Sequence, residues 1–320
     1  MERLVVGIRK MGEGMRTIQY IKHNKIDKKR WDDCIKNSPN GLVYAYSFFL
    51  DIMADKRWDA LVMGDYEAVF PLVWNRKFGL KYLYQPYFCQ QLGLFCRTEV
   101  REELLHDFIR KIPRKFVYWD FHLNYSNNFF SPDIQFVNRT SFTIDLNQDY
   151  LSIYDKFNSD AKKNLAKAAL AGYNLLKPTS AQSAADCFFD AYGIWYAQPE
   201  KLKNKILACA TKAIDLNLGF CLEITGKDGQ LWCSGFFFIS HNRIHYAMAA
   251  PTELGKKIGA THVLIDEVLK AYSDTHLTFD FEGSDLKNVA YFYSKFGSVK
   301  KHYLEIIRNR LPWWIQAIKK

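Results

Sequence analysis

The chain has 320 residues, which is long for one average domain and comfortable for two, and its 48% hydrophobic and 16% aromatic content supplies packed cores. No run of about 18 apolar residues occurs, which argues against a membrane-spanning helix, and MERLVVGIRKMGEG is too short and interrupted for a secretory signal. Lys and Arg outnumber Asp and Glu by 44 to 34, a formal charge of +10. Seven basic residues and one acidic residue fall between Lys295 and the C-terminus. Such a surface suits RNA, a nucleotide cofactor or an anionic membrane, beyond its ordinary value for solubility.

Met15 opens MRTIQYI, so residues 1–14 read as an extension outside the fold. Thr17–Lys22 is a strand candidate, followed by a helix over Asp27–Lys36, the turn cluster NSPNG and a helix over Ser47–Asp55. Neighbouring strands are expected in WDALVMG, YEAVFPLVW and YLYQPYFCQQLGLF. A helix over Glu99–Ile112, a strand over Lys115–Phe121 and an alternating strand at 136–146 then close this half.

The second half opens with helices over Tyr150–Phe157 and Ser159–Ala171, with Asn158 or Ser159 as N-cap and Gly172 as C-cap. YNLLKP is a short strand. Ala184, Phe188, Ala191 and Trp195 share one face of a helix, and Leu202, Ile206, Cys209 and Ala213 share a face of the next. From Phe220 the pattern changes: FCLEIT and LWCSGFFFIS flank Asp228-Gly229, a hairpin signal. RIHYAMAA is a third strand. A loop over Pro251–Gly259, a helix over Ala260–Tyr272, a strand over Leu277–Phe281, a helix over Leu286–Lys295 and a strand over Ser298–Arg308 complete the order. The seven cysteines are odd in number and contain no Cys-x-x-Cys pair, so neither a zinc site nor a disulfide framework is expected. A reducing cytoplasm is the matching location, with Cys187, Cys209 and Cys221 as small core residues.

This order resembles the GNAT acyltransferase fold, and the doubling resembles the tandem-GNAT, FemABX-like branch. The likeness rests on FNSDAKKNLAKAALAGYNL (157–175), LGKKIGATHVLIDEVLKAY (254–272) and FDFEGSDLKNVAYFYSKFG (279–297), and it covers residues 150–308. It implies an α+β fold of two GNAT-like domains, 15–148 and 149–320, each a mixed, mostly antiparallel sheet flanked by helices. It also implies an N-acyltransferase working between the domains. The donor would be an acyl-CoA or aminoacyl-tRNA and the acceptor an amine on a small molecule or peptide; no tightly bound cofactor is implied. Two departures stand out. Tyr293 occupies the place where many family members have lysine. The pyrophosphate loop of ordinary GNAT enzymes is matched by Leu254-Gly255-Lys256-Lys257-Ile258-Gly259, which lacks the leading Gln/Arg and has Lys257 at a glycine position. By resemblance Gly255, Lys256, Lys257, Gly259 and Ala260 are the cofactor-binding candidates.

Acyl transfer to an amine needs a proton acceptor, donors for the tetrahedral oxyanion and a proton for the leaving group. Asp280 and Glu282, two residues apart at a strand end, face the same side and suit a base or an ammonium grip. Tyr291 and Tyr293 follow on a helix where GNAT enzymes often place an acidic tyrosine, and Tyr293 is the expected proton donor. Tyr246, Lys163 and Lys295 are substrate-binding candidates; Lys163 and Lys167 lie at i, i+4, a like-charge pairing that hints at an anionic partner. His245 points to the opposite side of its strand from Tyr246 and reads as a structural histidine. Trp313 and Trp314, flanked by basic residues, have the composition of a weak membrane-surface contact. The rival reading is a non-catalytic GNAT-like module that binds an anionic ligand, RNA or a membrane surface.

Overall fold

The computed structural model describes residues 17–128, 130–283 and 285–312. The extension at 1–14 and the tryptophan pair of the tail lie outside the described residues. The N-terminal half runs β1 (Ile18–Ile21), α1 (Lys28–Lys36), α2 (Ser47–Met53), β2 (Trp58–Met63), β3 (Ala68–Lys77), β4 (Leu80–Tyr84), β5 (Phe95–Cys96), α3 (Glu102–Lys111), β6 (Phe116–His122) and β7 (Gln135–Asp145). The rest is α4 (Tyr150–Asp155), α5 (Ser159–Ala171), β8 (Tyr173–Leu176), α6 (Gln182–Tyr192), α7 (Pro199–Asp215), β9 (Gly219–Gly226), β10 (Leu231–Ser240), β11 (Arg243–Pro251), α8 (Glu253–Ile258), α9 (Ala260–Tyr272), β12 (Thr278–Gly283), α10 (Lys287–Ser294) and β13 (Val299–Asn309).

Local chemistry accounts for many boundaries. The Asp27 side chain accepts the Arg30 N–H to start α1, and Asn158 accepts the Ala161 N–H to start α5. Gly172 ends α5 at φ +70°, and Gly229 closes the β9–β10 hairpin at φ +80°, conformations that a side chain disfavours. On α7 the expected stripe Leu202, Ile206, Cys209 and Ala213 is buried. On α6 the expected stripe breaks. The α-helix ends at Tyr192, a 3-10 turn over Gly193–Trp195 follows, and Trp195 is left 78% exposed because the tighter turn rotates it off the face.

One sheet runs through the molecule in the order β1-β2-β3-β4-β6-β13-β7-β12-β11-β10-β9-β8, with β5 pairing beside β3. Read from the middle outward, the two sides mirror each other. The outer strands are antiparallel, β4 and β6 pair in parallel on one side, and β11 and β12 do so on the other. The strand at 136–146 was expected to close the N-terminal half; instead β7 pairs with β12 and β13, while the C-terminal β13 pairs with β6. Each half thus completes the other's sheet. The exchange gives both strands two hydrogen-bonded neighbours, so neither is left as an unpaired edge.

Helices α4, α5, α9 and α10 pack on one face of the C-terminal strands around Phe237, Phe279 and Phe281. On the other face a continuous apolar cluster joins Trp31 and Phe49 of the N-terminal half to Phe189, Ile206 and Phe238 of the C-terminal half. That cluster fixes the segment between α1 and α2 against β11 and β12, and the polar side chains that follow from it form the site.

Candidate active site

β11 and β12 pair in parallel only at Arg243–Thr278, Ile244–Phe279 and His245–Asp280, although both strands run on beyond those positions. Beyond Asp280 the strands part, and Glu282 stands at the opening. Strand alternation sends Phe279 and Phe281 into the core and Thr278, Asp280 and Glu282 to the opposite face. The parallel pair of the N-terminal half ends at Tyr84, the last residue of β4, opposite Asp120, and two residues on, β6 carries His122 in place of a glutamate.

Glu282 holds φ +70°, a backbone conformation that costs of order 1 kcal/mol for a residue with a Cβ. Asp280 and Ser141 hold it there. The Glu282 N–H donates to Asp280 Oδ1 at 2.8 Å, and Ser141 Oγ lies 2.8 Å from that oxygen and 2.9 Å from the Glu282 carbonyl. Asp280 Oδ2 accepts from Arg243 Nη1 at 2.8 Å and from Tyr125 OH at 3.2 Å. Asp280, expected as a base, is therefore buried with both oxygens occupied, and its position suits an anchor for Glu282.

The Glu282 carboxylate is bound from two sides. Tyr44, from the 3-10 turn between α1 and α2, donates to Oε1, and His245 Nδ1 lies 2.7 Å from the same oxygen. The carboxylate partner places a proton on His245 Nδ1, and Nε2 is buried without a hydrogen-bond partner among the described residues. Both bonds fall on Oε1, which leaves Oε2 with none among the described residues. Burial raises the Glu282 pKa, and the His245 contact opposes the rise. The Tyr44 phenol is pushed up by burial and by the glutamate's charge.

Tyr293 lies on α10 with its ring stacked on Phe281 at 4.7 Å between centroids and edge-on to Tyr246 at 6.3 Å. Burial raises its pKa and the charge of Glu282 adds to the rise, so the phenol keeps its proton at neutral pH within the field of the carboxylate. Tyr293 packs with Phe281 and Tyr246, side chains on the face opposite Glu282, and no hydrogen bond joins its phenol to the glutamate among the described residues. Tyr246, expected to touch substrate, is half-buried among Phe237, Phe279, Phe281 and Tyr293.

The other expected residues lie elsewhere. The loop over Pro251–Gly259 is a helix, because the Thr252 side chain caps its start by accepting the Gly255 N–H and Gly259 ends it at φ +86°. The amide of Lys256 bonds to the Thr252 carbonyl and that of Gly259 to the Gly255 carbonyl. These N–H groups are committed to the helix. Gly255 is required by packing, since a Cβ there would collide with the Trp232 carbonyl. Lys256 pairs with Glu253, Lys257 is exposed, and Ala260 is buried at the start of α9. Lys163 is exposed on α5, and Lys295 forms an ion pair with Asp160. No group of metal-ligating side chains occurs among the described residues.

Reasoning from the sequence missed His245, Tyr44 and Arg243. The alternation of β11 already set His245 and Arg243 on the face opposite Tyr246, but only the pairing register shows that this face carries Asp280 and Glu282. Beside the cluster lies a groove of about 600 Å3 across β12, β7 and β13, with Arg243 and Tyr125 in its lining. Neither Glu282 nor Tyr293 lines it. Among the described residues, no helix is long and apolar enough to cross a membrane.

No protein-family model matches the sequence, and no curated protein matches it. Solved structures do. FemX superimposes with a TM-score of 0.66 at 11% identity, covering 94% of this chain and all of that one. L-PGS from Bacillus licheniformis gives 0.54 at 11% identity over 91% of this chain and 95% of that one. The C-terminal domain of a putative lysylphosphatidylglycerol synthetase from Agrobacterium fabrum gives 0.52 at 10% identity over 88% and 92%. At these identities the likeness concerns the fold. Together with the mirrored strand order and the one parallel pair in each half, it establishes that this chain has a tandem GNAT fold of the FemX kind.

Proposed function

We propose that the protein is an N-acyltransferase that moves an acyl or aminoacyl group from acyl-CoA or aminoacyl-tRNA to an amine, acting in the cytoplasm. The observation that carries this reading is the Glu282 carboxylate, held by Tyr44 and His245 through one oxygen at the point where β11 and β12 part, with its charge felt at the neutral Tyr293 phenol. Glu282 Oε2 takes a proton from the acceptor ammonium. The neutral amine attacks the donor carbonyl, forming the new C–N bond. The Tyr293 phenol donates to the oxyanion and gives its proton to the departing thiolate or ribose oxygen as the bond from the carbonyl carbon to the leaving group breaks, and the proton left on the new amide nitrogen returns to the Tyr293 oxygen. A buried carboxylate with a raised pKa is better matched to this task than a free one, because proton transfer is most effective when donor and acceptor pKa values are close. The fold likeness supports a transferase reading and leaves donor and acceptor to experiment.

The test is transfer from radiolabelled acetyl-CoA and from charged tRNA to a panel of amines, with Glu282→Gln and Tyr293→Phe compared with the parent protein. Loss of a factor of about 100 or more in Glu282→Gln is expected. A Glu282→Gln protein with full activity refutes the role of this carboxylate, and silence with both donors refutes the activity.

The commitment of the Gly255, Lys256 and Gly259 amides to α8 favours a second reading, in which the fold binds an anionic ligand, RNA or a membrane surface without turnover. Salt-sensitive binding to RNA or anionic vesicles, with no transfer under any donor, distinguishes it.

A further inference from the structure

The groove of about 600 Å3 has a lining of mixed charge, Arg243, Lys301 and His302 against Asp145, completed by Tyr125, Thr143, Thr278 and Val299. Arg243 and Asp145 are not scattered. The register pairs Arg243 with Thr278 across β11–β12 and Thr278 with Asp145 across β12–β7, so the three stand in one row across the sheet. Arg243 and Asp145 are then two strand spacings apart, about 10 Å between backbones, with the Thr278 hydroxyl midway.

The charges decide what such a row can hold. The Arg243 guanidinium gives Nη1 to Asp280 at 2.8 Å and lies over the Tyr125 ring at 4.9 Å, so its ion pair fixes its direction. Asp145 Oδ1 accepts the Asn147 N–H at 3.0 Å, which orients that carboxylate. Counting Asp280 beneath Arg243, the two cations Arg243 and Lys301 face two carboxylates. A polyanion gains little from a surface that is close to neutral. A small ligand with both signs gains at each end, by a charge-assisted bond to the guanidinium and another to the carboxylate.

We propose that this groove is a binding subsite for a zwitterionic amino-acid or peptide group, whose carboxylate meets Arg243 and whose ammonium meets Asp145. Thr278 supplies a hydroxyl between the two charges, and Thr143, two residues along β7 from Asp145 and opposite Asp280, supplies another beside them. Along β12 the step from Thr278 to Glu282 is four residues, about 13 Å, so the groove anchors the ligand and does not hold the reacting amine. The proposal rests on the acyl-transfer reading only in naming the anchored molecule as the acceptor; binding itself needs no turnover.

Glycylglycine, N-acetyl-glycylglycine and glycylglycinamide are titrated into the full chain and followed by calorimetry, with acetate and inorganic phosphate as anion-only competitors. Saturable binding of glycylglycine is expected, with each blocked form weaker by about tenfold or more. Asp145→Asn, an exposed substitution that leaves the core intact, is expected to abolish the discrimination against the amide-blocked amine of N-acetyl-glycylglycine. The assignment is overturned if glycylglycine shows no saturable binding, if phosphate or acetate competes as well as the dipeptide, or if Asp145→Asn leaves all affinities unchanged. A protein that transfers acyl groups yet fails these tests loses the groove assignment alone, whereas full activity in Glu282→Gln removes the transfer role and leaves the groove standing.

Discussion

His262 lies on α9 facing α10, edge-on to Phe292 at 5.1 Å and beside Phe296 at 5.6 Å between ring centroids. Burial is the main reason its pKa is pulled down from 6.5 to about 4, and the nearby Lys295 cation pulls it further while Asp160 opposes. A histidine whose folded pKa lies below its unfolded value binds more protons when unfolded. Its contribution to stability is therefore complete above about pH 6.5 and is lost as pH falls toward about 4. Between about pH 7.5 and about pH 5 the two pKa values give a loss of about 2 kcal/mol. Asp266, four residues on, works against this trend, because burial raises its pKa from 3.8 to about 6 and its folded form takes up protons over part of the same range. The wild-type profile alone hides the effect. Urea unfolding of the parent and of His262→Leu at both pH values isolates it, since Asp266 contributes equally to both proteins. The gap between variant and parent should move in favour of the leucine by about 2 kcal/mol on acidification. A change below about 0.5 kcal/mol refutes the claim that His262 is held neutral in the fold.

Tyr44→Phe removes a donor from the Glu282 carboxylate, so the pKa of that group rises. The acid limb of the transfer rate, which falls as pH drops through that pKa, should move to higher pH; an unmoved limb counts against Tyr44 as a partner of the base. Asp280→Asn leaves Arg243 without its ion pair and should cost about 3 kcal/mol in urea unfolding, with Arg243→Met in the same chain restoring part of it. Asn158→Ala takes the cap from α5 and should cost about 1 kcal/mol by the same measurement, with the transfer rate unchanged.

The tandem fold has a consequence for the site. The catalytic candidates come from the C-terminal half, yet the carboxylate is completed by Tyr44 of the N-terminal half, and the apolar cluster that seats Tyr44 spans both. A truncated C-terminal half would expose β7's neighbours and leave Glu282 with His245 alone. The structural duplication also shows where the halves diverge. Asp120 and Asp280 stand at matching places in their parallel pairs, but only the second is followed two residues later by a carboxylate.

Much of this was legible in the residues themselves. Ala260–Tyr272 is the helix its apolar spacing predicts, Asp228-Gly229 closes a hairpin, and Asn158 and Gly172 bound α5, because caps, turns and periodicity act over a few residues and are written in consecutive side chains. The parity of Asp280 and Glu282 on one face was equally local. The helix at Glu253–Ile258 was hidden by Gly255 within it and Gly259 at its end, which read as a loop until the Thr252 cap and the packing against Trp232 are seen. What only the tertiary structure decided is everything that depends on register between distant strands: the exchange of β7 and β13, the meeting of Tyr44 with Glu282 across 238 positions, and the row from Arg243 to Asp145. Strand pairing is a contact between segments far apart in the chain, and no local pattern records which partner, or which offset, the folded core selects.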